Sequence, residues 1–172
     1  MKRFVEGGGD TESLRSLCRE GFRTFLKRSG TKSLPRIVAS GSSQPAYHDF
    51  CTEVKAGREA ALLVDSEEFV KTTFGKPWKH LEERDGWTPP QGSDGNQCHL
   101  MVVCMEALPA YPKTEEVPKS DIFVGLERAT KGTQKGRYSK GDHSFRLLCQ
   151  IDPELVCRAS QWARRLVDNL KS

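Results

Sequence analysis

Apolar residues along this chain fall into two textures: short continuous runs, and longer segments in which they recur every three or four positions. Residues 3–6 (around Phe4-Val5), 35–39, 60–65 (Ala60-Ala61-Leu62-Leu63-Val64 before Asp65) and 98–105 are runs of the first kind. Runs of this length, bounded by turn residues, are the pattern of strands buried on both faces of a parallel sheet. Between the first two runs, Leu14, Leu17, Cys18, Phe22, Phe25 and Leu26 keep helical spacing, with Asp10 or Thr11 available as N-cap and Gly30 as terminator. Between the second and third, residues 45–55 place Tyr47, Phe50, Cys51 and Val54 on one helical face, opened by Pro45 and closed by Gly57. The order strand, helix, strand, helix, strand, loop, strand predicts an α/β fold with a doubly wound, four-stranded parallel sheet, because parallel strands need crossovers and crossovers are normally helical.

Residues 66–97 break this rhythm with Gly75-Lys76-Pro77, Asp85-Gly86, Thr88-Pro89-Pro90 and Gly92-Ser93-Asp94-Gly95. Only short helices over 67–73 and 78–83 are expected there. So long an irregular segment inside a compact domain is usually functional, and it leaves the carboxyl end of the third strand, where it would wall a crevice. Beyond Met105 come Pro109, Pro112 and Pro118, then a helix over 120–130 with Ile122, Phe123, Leu126 and Ala129 on one face, then a basic, glycine-rich loop over 131–141. Residues 144–151 fit both alternation and helical spacing, and helix is the reading favoured. Asp152-Pro153-Glu154 supplies an N-cap, a first-turn proline and an acidic first turn for one last helix carrying Leu155, Val156, Ala159, Trp162, Ala163, Leu166, Val167 and Leu170. Residues 1–107 are thus expected to form the α/β core and 108–172 a helical extension packed on it.

Composition narrows the function classes without choosing among them. With 172 residues, 36% hydrophobic and 29% charged, the chain is long enough to bury one sizeable core, and no apolar stretch approaches a membrane span. Met1-Lys2-Arg3 runs directly into the first strand, so the sequence predicts no secretory signal and a cytoplasmic setting. The six cysteines (Cys18, Cys51, Cys98, Cys104, Cys149, Cys157) show no C-x-x-C pairing, which points to reduced thiols rather than disulfides or zinc. A net charge of +4 permits a nucleic-acid partner without requiring one. The row Arg15, Arg19, Arg23 and Lys27 on the first helix reads as a solvated face ahead of a nucleic-acid surface.

Two acidic clusters change the picture. Glu6-Gly7-Gly8-Gly9-Asp10 closes the first strand, and Asp65-Ser66-Glu67 closes the third. Ligands of open α/β sheets bind outside the carboxyl ends of the strands, so these acids are expected to converge on one crevice. Several carboxylates there suit Mg²⁺, a hard cation that takes oxygen ligands and keeps waters for a phosphate to replace; Mn²⁺ would substitute. Ordinary capping explains one acid at each place, but it accounts neither for Glu6 ahead of three glycines nor for the pair Asp65 and Glu67. Glu106, at the end of the fourth strand, is a further candidate ligand. Lys135, Arg137, Lys140 and His143 in the basic segment are candidates for binding phosphate, while His99, inside an apolar strand, reads as a core histidine before a proton carrier.

An E-G-x-x-D turn after the first strand and D-x-E after the third resemble the Toprim fold of topoisomerases, primases and related nucleases, although the second motif there is usually D-x-D. The chain as a whole resembles the domain-of-unknown-function 4276 family, a bacterial Toprim-like group often encoded beside an ATPase. The resemblance runs through Val5-Glu6-Gly7-Gly8-Gly9, Arg19-Glu20-Gly21-Phe22, Pro35-Arg36-Ile37-Val38, Leu63-Val64-Asp65-Ser66-Glu67, His99-Leu100-Met101-Val102, Cys104-Met105-Glu106-Ala107, Lys135-Gly136-Arg137-Tyr138 with Lys140 and His143, and Ile151-Asp152-Pro153. The family usually continues past Met-Glu-Ala with Trp and a helical stretch, whereas Ala107 here passes directly to Leu108-Pro109. The resemblance implies a Mg²⁺-dependent nuclease with Glu6, Asp65 and Glu67 as catalytic residues, and Glu6, Asp65, Glu67 and Glu106 as metal ligands. It further implies an effector that acts with an ATPase in defence against phage. The alternative is a non-catalytic Toprim-like module that binds a nucleotide or the ATPase.

Overall fold

The structure, a computed structural model, describes residues 1–67, 70, 75–93, 95–101, 119–133, 136–138 and 140–171. Strand β1 (Lys2–Val5) leads into helix α1 (Glu12–Arg28), β2 (Arg36–Ala39) into α2 (Ser43–Lys55), and β3 (Ala60–Asp65) is followed by α3 (Pro77–Asp85) and β4 (Cys98–Met101). Helices α4 (Lys119–Thr130), α5 (Lys140–Gln150), α6 (Pro153–Ala159) and α7 (Gln161–Lys171) complete the order. All strand pairings are parallel and the sheet order is β2-β1-β3-β4, the expected doubly wound α/β architecture. The central strands β1 and β3 lie in register with Phe4 opposite Leu62 and Val5 opposite Leu63.

Because side chains alternate along a strand, the sheet must be apolar on both faces to be covered on both. Phe4, Leu62, Val64 and Leu100 pack against Phe50 and Val54 of α2 and Trp78 and Leu81 of α3, joined by Ile122 of α4 and Trp162 of α7. Val5, Ile37, Ala39 and Leu63 face the other way, onto Cys18, Phe22, Phe25 and Leu26 of α1, with Leu148, Val156, Leu166 and Val167 from α5, α6 and α7. Each such large side chain contributes about 1.5–3 kcal/mol by leaving water, so both layers hold the sheet. The stacked rings of Tyr47 and Trp87, 4.4 Å apart, tie α2 to the chain after α3, and the Tyr47 hydroxyl donates to Thr88 O at 2.9 Å.

Helix α1 begins as its sequence predicts, with Thr11 Oγ1 accepting from Leu14 N. It meets α5 closely at Gly21, where an added Cβ would stand 2.8 Å from Phe145 O. The ambiguous segment before Asp152 is helical, and α5 starts at Lys140, earlier than expected. Within α4, Ala129 is exposed rather than buried beside Ile122.

Two expectations are corrected. The single last helix is broken in two at Ser160, whose backbone is extended (φ −131°, ψ 119°). Its hydroxyl accepts from Ala163 N at 3.2 Å, so serine ends α6 and caps α7, which carries Trp162 into one core layer and Leu166 and Val167 into the other. The short helix expected from residue 67 does not begin there: Glu67 is left-handed, with φ 57°, and Val70 is buried and non-helical. The rest of that helix, the fourth strand beyond Met101, and Cys104 lie outside the described residues. The five described cysteines are free. Among the described residues no helix is long and apolar enough to cross a membrane.

Candidate functional site at the carboxyl end of the sheet

Adjacent parallel strands bring the first and third strand ends together, and the two acidic clusters meet there. Glu6 N donates to Leu63 O at 2.9 Å, extending the β1–β3 ladder by one residue. The Glu6 carboxylate then turns across the strand end, and its Oε2 accepts from Asp65 N at 2.9 Å. One carboxylate is therefore fixed at the backbone from which the other projects. Asp65 Oδ1 in turn accepts from Glu67 N at 3.3 Å, an Asx-type turn that bends the chain away from the sheet and carries Glu67 into its left-handed conformation. A non-glycine residue held there is uncommon and costs about 1 kcal/mol or more.

Neighbouring elements hold this corner from two sides. On the β2 side the glycine turn is pinned by reciprocal bonds, Gly7 N to Gly41 O at 2.7 Å and Gly41 N to Gly7 O at 3.0 Å. Gly8, at φ 86°, has room for hydrogen only, since a Cβ would lie 2.8 Å from Arg15 Cα. Arg15 Nε closes over the turn by donating to Gly9 O at 3.2 Å. On the β4 side, Ser66 N donates to Met101 O at 3.0 Å, joining the ends of β3 and β4. Helix α3, inside the long irregular segment, supplies two more ties. Arg84 Nη1 donates to Asp65 O at 2.8 Å, and His80 Nε2 donates to Ser66 O at 2.9 Å. Arg84 is oriented by Asp85, which accepts from its Nε and Nη2 at 2.8 and 2.6 Å.

Sequence reasoning missed Arg15, His80 and Arg84. Arg15 was one of four basic residues on a solvated helix face, and nothing in the local pattern singled out the other two. The thiol nearest the turn is no rival to the carboxylates: Cys18 is fully buried beside Gly7, and burial pushes its thiol up to about 12.

The remaining candidates are distributed differently. Arg137 is exposed and forms an ion pair with Glu127 on α4. The His143 ring lies 5.7 Å from the ring of Tyr138. Lys140 opens α5, and α5 is the helix that abuts the glycine turn, since a Cβ on Gly7 would come within 3.1 Å of Phe145 Cζ. Glu106 and Lys135 lie outside the described residues. His99 is a core residue, 2% exposed, and burial, then Arg165 and Arg3, lower its pKa to about 3.

Among the described residues no group of three or more His, Cys, Asp or Glu side chains comes together as a metal cage, so Glu67 does not complete Glu6 and Asp65 to a trio. The oxygen donors of Glu6 and Asp65 nevertheless suit a Mg²⁺-type ion, which is usually held by one or two carboxylates and completes its shell with waters and substrate phosphates. Comparison with protein-family models, with curated proteins and with solved structures found no match for this chain.

Proposed function

We propose that the corner formed by Glu6 and Asp65 is the centre of a Mg²⁺-dependent phosphodiesterase, a nuclease of Toprim-like type. The observation that carries this reading is the Glu6 carboxylate accepting from Asp65 N, which links the acidic ends of the two central strands. A bound Mg²⁺ or Mn²⁺ would neutralise charge on a scissile phosphate and lower the pKa of a water. Asp65 is the principal ligand on this reading. Glu6, whose Oε2 accepts from the Asp65 N–H, aids it or accepts a proton from the attacking water. Glu67, exposed just past the turn, and Glu106 are the additional acids. Lys135, Arg137, Lys140 and His143 would contact the nucleic-acid backbone, which any sequence presents alike. The same resemblance carries the setting we propose: a cytoplasmic effector that acts with an ATPase in bacterial defence against phage.

The alternative reading is that the corner belongs to a non-catalytic Toprim-like module that binds a nucleotide or the ATPase partner. One experiment separates the two. Wild type, Asp65→Asn and Glu6→Gln are incubated with plasmid DNA and with total RNA, in Mg²⁺, Mn²⁺ or EDTA. Metal-dependent cleavage by the wild type, lost in both variants, is the expected result. No cleavage of either substrate by the wild type, with or without the ATPase, overturns the nuclease reading in favour of the module.

A further inference from the structure

The opposite end of the sheet holds a second polar site that the proposed chemistry does not use. A cavity of about 370 Å³ opens at the amino ends of β1, β3 and β4, lined by Arg3, Glu59, Gln97, His99, Arg165 and Asn169, among others. Arg3 is an inward-facing strand residue only 6% exposed, and its Nε is buried without a hydrogen-bond partner. Burial lowers its pKa to about 10, partly offset by the charge of Glu59, so the guanidinium stays charged at neutral pH. Arg165 reaches in from α7 and is already anchored, its Nη1 donating to Cys98 O at 2.6 Å and facing His99 Nδ1 at 3.5 Å. An arginine has no acceptor, so Nδ1 is the accepting nitrogen of a neutral imidazole, in keeping with the lowered pKa of His99.

The lining therefore carries two guanidinium groups against one carboxylate, a surplus of positive charge in a partly enclosed space. Buried charges and buried polar atoms are normally paired, and each exception calls for a partner. Two such exceptions line this one cavity, and they are of opposite type: the donor Arg3 Nε and the acceptor Gln97 Oε1. Arg is the residue best shaped to grip a planar or tetrahedral oxyanion. The volume is that of a small-molecule site at the lower end of the usual range.

We propose that this cavity binds a small anion: an oxyanion head, phosphate or carboxylate, that meets Arg3 and the anchored Arg165, on a polar body whose hydroxyl or amino group donates to Gln97. The two strand ends would then serve separate purposes, a carboxylate corner at one and an anion receptor at the other. The rival occupant is ordered water, which also satisfies orphaned polar atoms.

The test is calorimetric titration of the full chain in EDTA with four probes: ribose 5-phosphate, inorganic phosphate, malate and succinate. Saturable binding of a hydroxylated probe, about tenfold tighter than its counterpart without the hydroxyl, is expected, and whichever pair binds identifies the head group. Arg3→Met should weaken that binding about a hundredfold or more while leaving the far-ultraviolet dichroism unchanged. If that variant fails to fold, Asn169→Asp, an exposed isosteric change that adds negative charge at the cavity, should weaken it about tenfold. No heat with any probe at about 10 mM leaves water as the occupant and overturns the proposal. Binding unchanged in a folded Arg3→Met, or in Asn169→Asp where Arg3→Met does not fold, overturns it as well.

Discussion

Replacing Glu6 by glutamine and by alanine separates the structural work of its carboxylate from any chemistry. Both residues of the site-defining bond, Glu6 and Asp65, are half-buried, and the donor is a backbone N–H at the last residue of a central strand. A hydrogen bond to a charged group contributes about 1.5–3 kcal/mol when buried, and losing it also leaves the Asp65 N–H short of a partner. Partial exposure lets water take up some of that deficit, so Glu6→Ala should lose about 1–2 kcal/mol. In a protein of this length that is a fall in melting temperature of about 3–6 °C. Glutamine keeps an oxygen within reach of the same N–H, so Glu6→Gln should lose less than half as much while removing the negative charge. Urea denaturation read by tryptophan fluorescence measures both, with an unchanged m-value as the check that the unfolded states are alike. If alanine costs nothing, the bond is not part of what fixes the two strand ends. If glutamine costs as much as alanine, the charge rather than the hydrogen bond holds the corner, and the geometric argument for the site fails.

Three further outcomes follow from the packing and electrostatics. Gly21→Ala gains about 1 kcal/mol of helix propensity but drives a methyl to 2.8 Å from Phe145 O, so α1 and α5 must part; a net loss of about 1–2 kcal/mol in chemical denaturation is expected, and a stabilised variant would refute the close approach. Ser160→Ala removes the cap that starts α7 and should cost about 1 kcal/mol, read as a lower melting temperature with secondary structure retained. Arg58 and Lys2 grip Glu53 at 2.5 and 2.8 Å and, Arg58 foremost, lower its pKa from 4.5 to about 2. Its folded value lies below its unfolded one, so its contribution is complete above about pH 4.5 and disappears as pH falls toward 2. Glu53→Gln should flatten the stability profile in that window and nowhere else, measured by denaturation at a series of pH values.

What the chain discloses about itself divides along a physical line. Continuous apolar runs such as 60–65 can only be satisfied by burial on both faces, so the parallel sheet and its order of crossovers could be read directly, and β3 was placed to the residue. Periodicity alone could not find the break at Ser160. The apolar positions from Leu155 to Leu170 keep helical spacing on both sides of it, and a serine that caps a second helix is also tolerated within one, so its identity alone does not announce the break. Glu67 escaped for the opposite reason, since its conformation is imposed by the Asp65 turn and runs against the preference of its own residue type.

The same division governs the carboxylate corner. Acids at the ends of two buried strands are visible because the topology makes those strands neighbours, and the structure joins Glu6 to Asp65 through a backbone bond that no spacing rule specifies. The residues that hold the corner rigid are not visible in this way. Arg84 acts through a carbonyl, His80 through another, and Arg15 through a third, and every residue type has a carbonyl, so none of these contacts leaves a signature in the partner's identity. Their effect is nevertheless specific. With Asp65 O held by Arg84, Ser66 O by His80 and Ser66 N by Met101, the chain leaving β3 has little freedom to rotate. The Asp65 carboxylate is thereby aimed by groups on α3 and β4 as much as by its own strand. A site built this way tolerates change in the neighbours' side chains only where a donor survives, so Arg84 should tolerate lysine far better than alanine.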